Sequence, residues 1–178
     1  MSKNTLSDQS ITLEPANAGH INDDYLSWLN DKELMRFSRQ RHFTHTRDSS
    51  LAYQETFKGT NNHYWAILEK DSGQMIGTIN AYVDKAAGTA DVGIMIGHPQ
   101  ARGKGYGKKA WALVLKFLFE EENMRKVTCG TVRGNAAMEG IAAHFKMQLE
   151  GVLRQQEILD DGPADVLKYG LLKAEYLR

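Results

Sequence analysis

Residues 97 to 111, GHPQARGKGYGKKAW, hold four glycines and five basic or imidazole side chains in fifteen positions, after which the sequence turns apolar. Glycines at 103, 105 and 107 let successive backbone N–H groups turn inward into a nest, and a helix starting there aims its positive end at the same spot. Such a site binds phosphate. Arg102, Lys104, Lys108, Lys109 and Lys116 fall between His98 and Phe119 with no acid among them, so the local field suits a polyanion. Spacing excludes two ligands. A Walker A loop has four residues between its first glycine and Gly-Lys, then Ser or Thr; here five separate Gly97 from Gly103, and Gly105 follows Lys104. A dinucleotide fingerprint needs Gly-x-Gly-x-x-Gly, whereas here the third glycine comes one residue early, after Tyr106. The bland alternative is a glycine turn that only opens a buried helix.

Composition narrows the partners. Lys plus Arg equals Asp plus Glu at 22 each, so no global charge recruits nucleic acid or an anionic membrane. Cys129 is the only cysteine, which rules out an intrachain disulfide and a thiolate metal cluster, and no metal is expected. It lies mid-strand in VTCGTV without a neighbouring helix N-terminus, the setting of a small buried hydrophobe rather than a nucleophile. The opening MSKNTLSDQS has no apolar signal core, and nowhere do eighteen apolar residues run together, so a cytoplasmic location is expected.

The elements that position the loop follow from periodicity. At 178 residues, 42% hydrophobic and 25% charged, the chain reads as a flexible tail over 1–10 and a single domain over 11–178. ITLEPA begins a strand, one or two helices occupy 21–37 behind the capping residues Asn22 to Asp24, 38–45 reads as a loop, and a helix runs from Thr46 to Gly59. HYWAILEK, QMIGTINAYV and TADVGIMIG are strands joined by hairpin signals. A mostly buried helix over 105–122 leads to the strand RKVTCGTV, the helix NAAMEGIAAHF and two strands flanking DDGP. Hairpins pair antiparallel, but the helix over 105–122 must join its flanking strands as a right-handed crossover. The expected fold is α/β (α+β), with one parallel pair inside a mostly antiparallel sheet.

These residues resemble the GCN5-related N-acetyltransferases (GNAT). The loop of that family reads Arg or Gln, two residues, Gly, one residue, Gly or Ala, which here is Arg102, Gly105 and Gly107. The likeness covers residues 11 to 176, and YLSWLND with EGVLR and YGLL is most similar to the RimJ/RimL-type branch, which contains ribosomal-protein and amino-sugar acetyltransferases. It implies a six- to seven-stranded mixed sheet splayed at the parallel pair, with helices on both faces, and acetyl-CoA as cosubstrate. By the same likeness, main-chain N–H groups of Gly103, Lys104, Gly105, Tyr106, Gly107 and Lys108 cradle the pyrophosphate behind Arg102. The edges of Ile94, Met95, Ile96 and Gly97 pair with the pantetheine amides, and Asn135 bonds the pantetheine arm or, as Asn does at a helix start, simply caps.

Direct attack of an amine on a thioester needs a neutral amine, an oxyanion donor and an acid for the thiolate. Asp91, eleven residues before Arg102, holds the position of the general-base Glu in histone-type relatives, and the Met95 N–H that of the oxyanion donor. The Tyr acid that many members carry seven residues after the helix-opening Asn is replaced by Ala142, which the likeness places beside the cofactor sulfur. His144, Tyr82, Tyr106, Tyr169 or water are the alternatives. Residues to inspect for the acceptor are Trp28, His42, Phe43, His45 and Asp161. The acceptor is expected to be a small-molecule amine such as an amino-sugar nucleotide, with a protein N-terminus second and a non-catalytic acyl-CoA binder third. Assembly as a homodimer is left open.

Overall fold

The β-branched and aromatic runs form β1 (Leu6–Ser7), β2 (Ile11–Pro15), β3 (His63–Glu69), β4 (Met75–Asp84), β5 (Thr89–Ile96), β6 (Lys126–Val132), β7 (Gln148–Leu159) and β8 (Gly162–Leu172). The α-helices are α1 (Asp23–Asn30), α2 (Arg47–Glu55), α3 (Tyr106–Lys116), α4 (Ala136–His144) and the short α5 (Lys173–Tyr176). A computed structural model describes residues 4–177. All eight strands join in one sheet in the order β1-β2-β3-β4-β5-β6-β8-β7, with β5 and β6 parallel and every other neighbouring pair antiparallel.

One strand more than the six or seven expected comes from the stretch read as a tail. Leu6 and Ser7 pair with Leu13 and Thr12, and the Asp8 carboxylate accepts from the N–H groups of Ser10 and Ile11 to close the turn between them. Leu6 packs on the core, so order begins before Ile11; residues 1–3 of that segment lie outside the described residues. Other limits shift for local reasons. Helix α2, capped by Thr46, ends at Glu55 and passes through turns to Gly59. The loop read over 38–45 contains a 3-10 turn at Arg39–His42. Helix α3 runs on into a π-helical turn, Phe117–Glu121, in which Phe117, Leu118 and Phe119 are all buried.

Alternation along the strands sends side chains to two cores. On one face Trp65, Ile67 and Ile79 pack with Trp111, Val114 and Leu115 of α3 and with Met138, Ile141 and Ala142 of α4. On the other, Ala66 and Met75 pack with Tyr25 and Trp28 of α1, and Met95 joins them. Helices α3 and α4 therefore cover one face of the sheet and α1 the other.

Candidate active site

Strands β5 and β6 run side by side only from Thr89 to Asp91 and from Lys126 to Thr128, and beyond those three pairs they part. Crevices at the carboxyl ends of parallel strands are where α/β sheets bind ligands. Which backbone groups face this one follows from the register. At the end of β5 the N–H groups of Gly97 (2.9 Å) and His98 (3.1 Å) both donate to the Ile76 carbonyl, a β-bulge against β4. Backbone groups alternate in direction along a strand, so Asp91, Gly93 and Met95 also turn their amides toward β4, opposite Tyr82, Asn80 and Thr78. Ile94 and Ile96 are left facing the opening. Ile94 and Ile96 thus present a free edge, whereas the main chain of Met95 is taken up by the β4 ladder and Gly97 gives its N–H to Ile76 and its carbonyl to Arg102. The Met95 N–H, expected as the oxyanion donor, is turned to β4 and away from the opening, because a shift of one residue reverses direction.

Beyond the bulge, a 3-10 turn at Pro99–Ala101 brings the chain to the glycine loop, which Arg102 braces by donating from Nη2 to the Gly97 carbonyl at 2.6 Å. Gly103 and Gly105 have φ of 73° and 83°, left-handed conformations that cost an L side chain about 1–2 kcal/mol. Gly105 is also the N-cap of α3 and offers no side chain, so the N–H groups of the first helical turn remain free for an anion. Lys104 and Lys108 are exposed and make no ion pair among the described residues. Two neighbours are committed elsewhere. Lys109 donates to Ser10 Oγ at 2.6 Å, and the Tyr106 hydroxyl donates to Glu69, which raises the phenol's pKa and lowers the carboxyl's. The loop fits a pyrophosphate through main chain and two free lysines.

Asn135 caps α4. Its Oδ1 accepts from Met138 N–H at 3.3 Å and its Nδ2 donates to Thr131 Oγ1 at 2.9 Å, so the amide is held in place beside the crevice. Asp91 is exposed at the last paired position, on the α1 and α2 face, where Oδ2 accepts from Thr128 Oγ1 at 2.8 Å. Thr128 carries no signature in sequence, being one of many strand threonines. Cys129 is 1% exposed and burial, then the Asp91 charge, push its thiol up to about 12, so it is not a thiolate nucleophile.

The likeness placed Ala142 beside the cofactor sulfur, and the structure corrects this: Ala142 is 0% exposed and belongs to the core beneath α4. Ala142→Tyr is therefore expected to overpack, lowering stability by about 1–3 kcal/mol, a loss that thermal unfolding will read directly. Of the alternative acids, His144 is exposed with its ring edge-on to Phe145. Tyr82 Oη bonds Tyr53 Oη at 2.8 Å, and Tyr106 is held by Glu69. Tyr169 stands opposite Cys129 on the α4 side with no hydrogen bond to its hydroxyl among the described residues; burial, then Glu139, raises its pKa.

The 38–45 segment is fastened to the final hairpin. Arg41 Nη2 donates to the Ile158 carbonyl at 2.8 Å and pairs with Glu157 at 3.3 Å, and Arg39 reaches the same carboxylate at 3.5 Å. That link spans more than a hundred residues and has no local sequence signal. Among the residues singled out for inspection, Trp28 is buried, its ring edge-on to His98 at 6.3 Å, and His45 bonds Gln40 O and Asn30 as part of the loop's own frame. Phe43 is 65% exposed, and His42 and Asp161 are exposed as well.

A glycine loop at the head of α3 thus follows a parallel pair that splays with an exposed carboxylate at its apex. Residues 10–148 match the family model described as acetyltransferase (GNAT) domain, and the chain belongs to that family, in its RimJ/RimL-type division. It is a GNAT N-acetyltransferase, with acetyl-CoA as cosubstrate. Among curated proteins it is similar to an N-acetyltransferase 9-like protein of Caenorhabditis briggsae, 21% identical over 72% of this chain and 69% of the relative. It is also similar to an alpha/beta-tubulin-N-acetyltransferase 9 of Drosophila melanogaster, 25% identical over 65% of this chain and 62% of the relative. Among solved structures, spermidine N-acetyltransferase from Vibrio cholerae in complex with CoA and spermine has a TM-score of 0.85 at 17% identity, covering 96% of this chain and 100% of that one. The ribosomal-protein alpha-N-acetyltransferase RimL in complex with coenzyme A has a TM-score of 0.84 at 15% identity, covering 95% and 98%. At those identities the likeness is one of fold. Among the described residues no helix is long and apolar enough to cross a membrane, and no cluster of His, Cys, Asp and Glu is arranged for a metal.

Proposed function

We propose that the acceptor is the primary amine of a small molecule such as an amino-sugar nucleotide, and that Asp91 is the general base. The observation that carries the second part is the position of Asp91, a solvent-reachable carboxylate at the point where the cofactor strands part, held by a single hydroxyl from Thr128. Acetyl-CoA bound in the crevice supplies a thioester whose acetyl group passes to the amine. The chain's own work is to hold and prepare. Free N–H groups of Ile94 and Ile96 line the open edge, where they steady the cofactor and offer a donor to developing oxyanion charge. Asp91 takes the proton from the incoming ammonium directly or through one water. Tyr169, on the α4 side and with an unengaged hydroxyl, is the protein group best placed to protonate the departing thiolate.

A small acceptor is favoured by the balanced charge of the chain, 22 acids against 22 Lys and Arg, which gives no field for a highly charged polypeptide tail. A protein N-terminus is the second reading, supported by the names of the tubulin and ribosomal-protein relatives. The test is thiol release from acetyl-CoA against a panel of amino-sugar nucleotides, free amines, polyamines and N-terminal peptides, with products identified by mass spectrometry. Preference for an amino sugar or other small amine is expected; turnover confined to peptides would transfer the assignment to the protein reading. Binding of acetyl-CoA with no amine-dependent thiol release would leave a non-catalytic binder.

A further inference from the structure

On the α1 and α2 face of the sheet, directly opposite Gly93, the Asn80 side chain lies across the glycine: a Cβ built on Gly93 would stand 2.9 Å from Asn80 Oδ1. Contacts that close are avoided by real side chains, so Asn80 keeps this pose because residue 93 is glycine. Asn80 is half-buried, and its carboxamide makes no hydrogen bond among the described residues. It sits one row above Asp91, whose partner across the same ladder is Tyr82. Diagonal neighbours in an antiparallel pair have side chains that begin about 7–8 Å apart, a gap that one nitrogen with a hydrogen bond of about 2.9 Å to each side bridges.

We propose that Asn80 and Asp91 together seat the acceptor amine, Asn80 accepting through its carboxamide oxygen and Asp91 through the carboxylate oxygen that Thr128 leaves free. The inference rests on the assignment of Asp91 as the base and adds the residue that decides how the amine is presented to it. A carboxamide suits this place better than a second carboxylate. Two negative charges would stabilise the ammonium and keep the nucleophile protonated, whereas one charge and one neutral acceptor bind it with a weaker hold on its proton. Other ionisable groups facing the seat are Tyr82 beside it, Tyr64 across β3, and Tyr25 and Tyr53 from α1 and α2, each a phenol that burial or a partner hydroxyl engages, and, beside Thr128 on the same face, the Glu150 carboxylate over Gly170, paired with Lys126 at 2.7 Å. Across the opening lies the Lys168 ammonium, 2.8 Å from where a Cβ on Gly130 would stand.

Three variants test the seat, each measured on the best acceptor. Asn80→Ala is expected to raise the acceptor KM about ten- to a hundredfold, the loss of one hydrogen bond to a charged group, with acetyl-CoA affinity and melting temperature unchanged. Gly93→Ala, which leaves the carboxamide intact but displaces it, is expected to raise the acceptor KM likewise. Asn80→Asp should restore KM while moving the rising limb of the pH profile to higher pH, since the added carboxylate holds the amine protonated; a merely structural residue would leave that limb in place. Wild-type KM and turnover in Asn80→Ala would overturn the seat while leaving the acetyltransferase assignment standing. Absence of wild-type turnover with every amine would overturn the acceptor assignment and the seat together.

Discussion

Gly105→Asp is expected to weaken acetyl-CoA binding by about a hundredfold or more, and isothermal calorimetry is the direct measurement. Two penalties add. The left-handed φ of 83° at the head of α3 costs an L residue about 1–2 kcal/mol, although Asp tolerates it better than most. Within the nest, a carboxylate then faces the pyrophosphate, and two like charges about 4 Å apart at a protein surface repel by up to about 4 kcal/mol. Collision plays no part, because a Cβ at Gly105 would meet nothing within 4 Å. The fold should survive, since the site is an exposed loop. Gly105→Ala separates the terms: it carries the backbone cost without the charge and should lose about tenfold. Equal, unchanged affinity in both variants would remove this loop from the cofactor site.

Asp91→Asn should lower kcat/KM by about 10²–10⁴, the range seen when a general base is removed. Acetyl-CoA affinity should hardly change, because the carboxylate lies on the α1 and α2 face, away from the pyrophosphate loop. The Asn oxygen can still accept from Thr128 Oγ1, so the strand junction should stay closed and the melting temperature near that of the parent. Residual activity should climb toward alkaline pH, as the amine loses its proton to solvent without help. Stopped-flow or steady-state rates across pH settle the matter. A variant with near-normal turnover at neutral pH would make Asp91 a structural acceptor for Thr128 and leave the enzyme relying on an amine that arrives neutral.

Much of this site is local in the chain and therefore legible in it. Turn glycines, the cations between them and the apolar helix that follows lie within twenty-odd residues, and their conformations depend on φ limits and helix dipoles that need no distant partner. The parallel pair was legible for a related reason, because a helix between two strands leaves little choice of connection. Asp91 was singled out by the likeness to histone-type relatives, through its offset from Arg102.

What the chain could not reveal without folding is direction and company. Whether Met95 or its neighbours face the crevice turns on a register that the bulge at Gly97 and His98 sets against Ile76, and a single-residue change reverses it. Ala142 has the composition of a site residue or a core residue alike; the packing of α4 on the sheet put it in the core. The Leu6–Ser7 strand is too short and polar to declare itself and exists because Leu13 and Thr12 offer it an edge. Arg41 with Glu157, and Asn80 over Gly93, join residues from separate elements. Periodicity states which face a residue takes within its own element, but hydrogen-bond register and side-chain contact between elements are properties of the assembled sheet, and only the tertiary structure decided them.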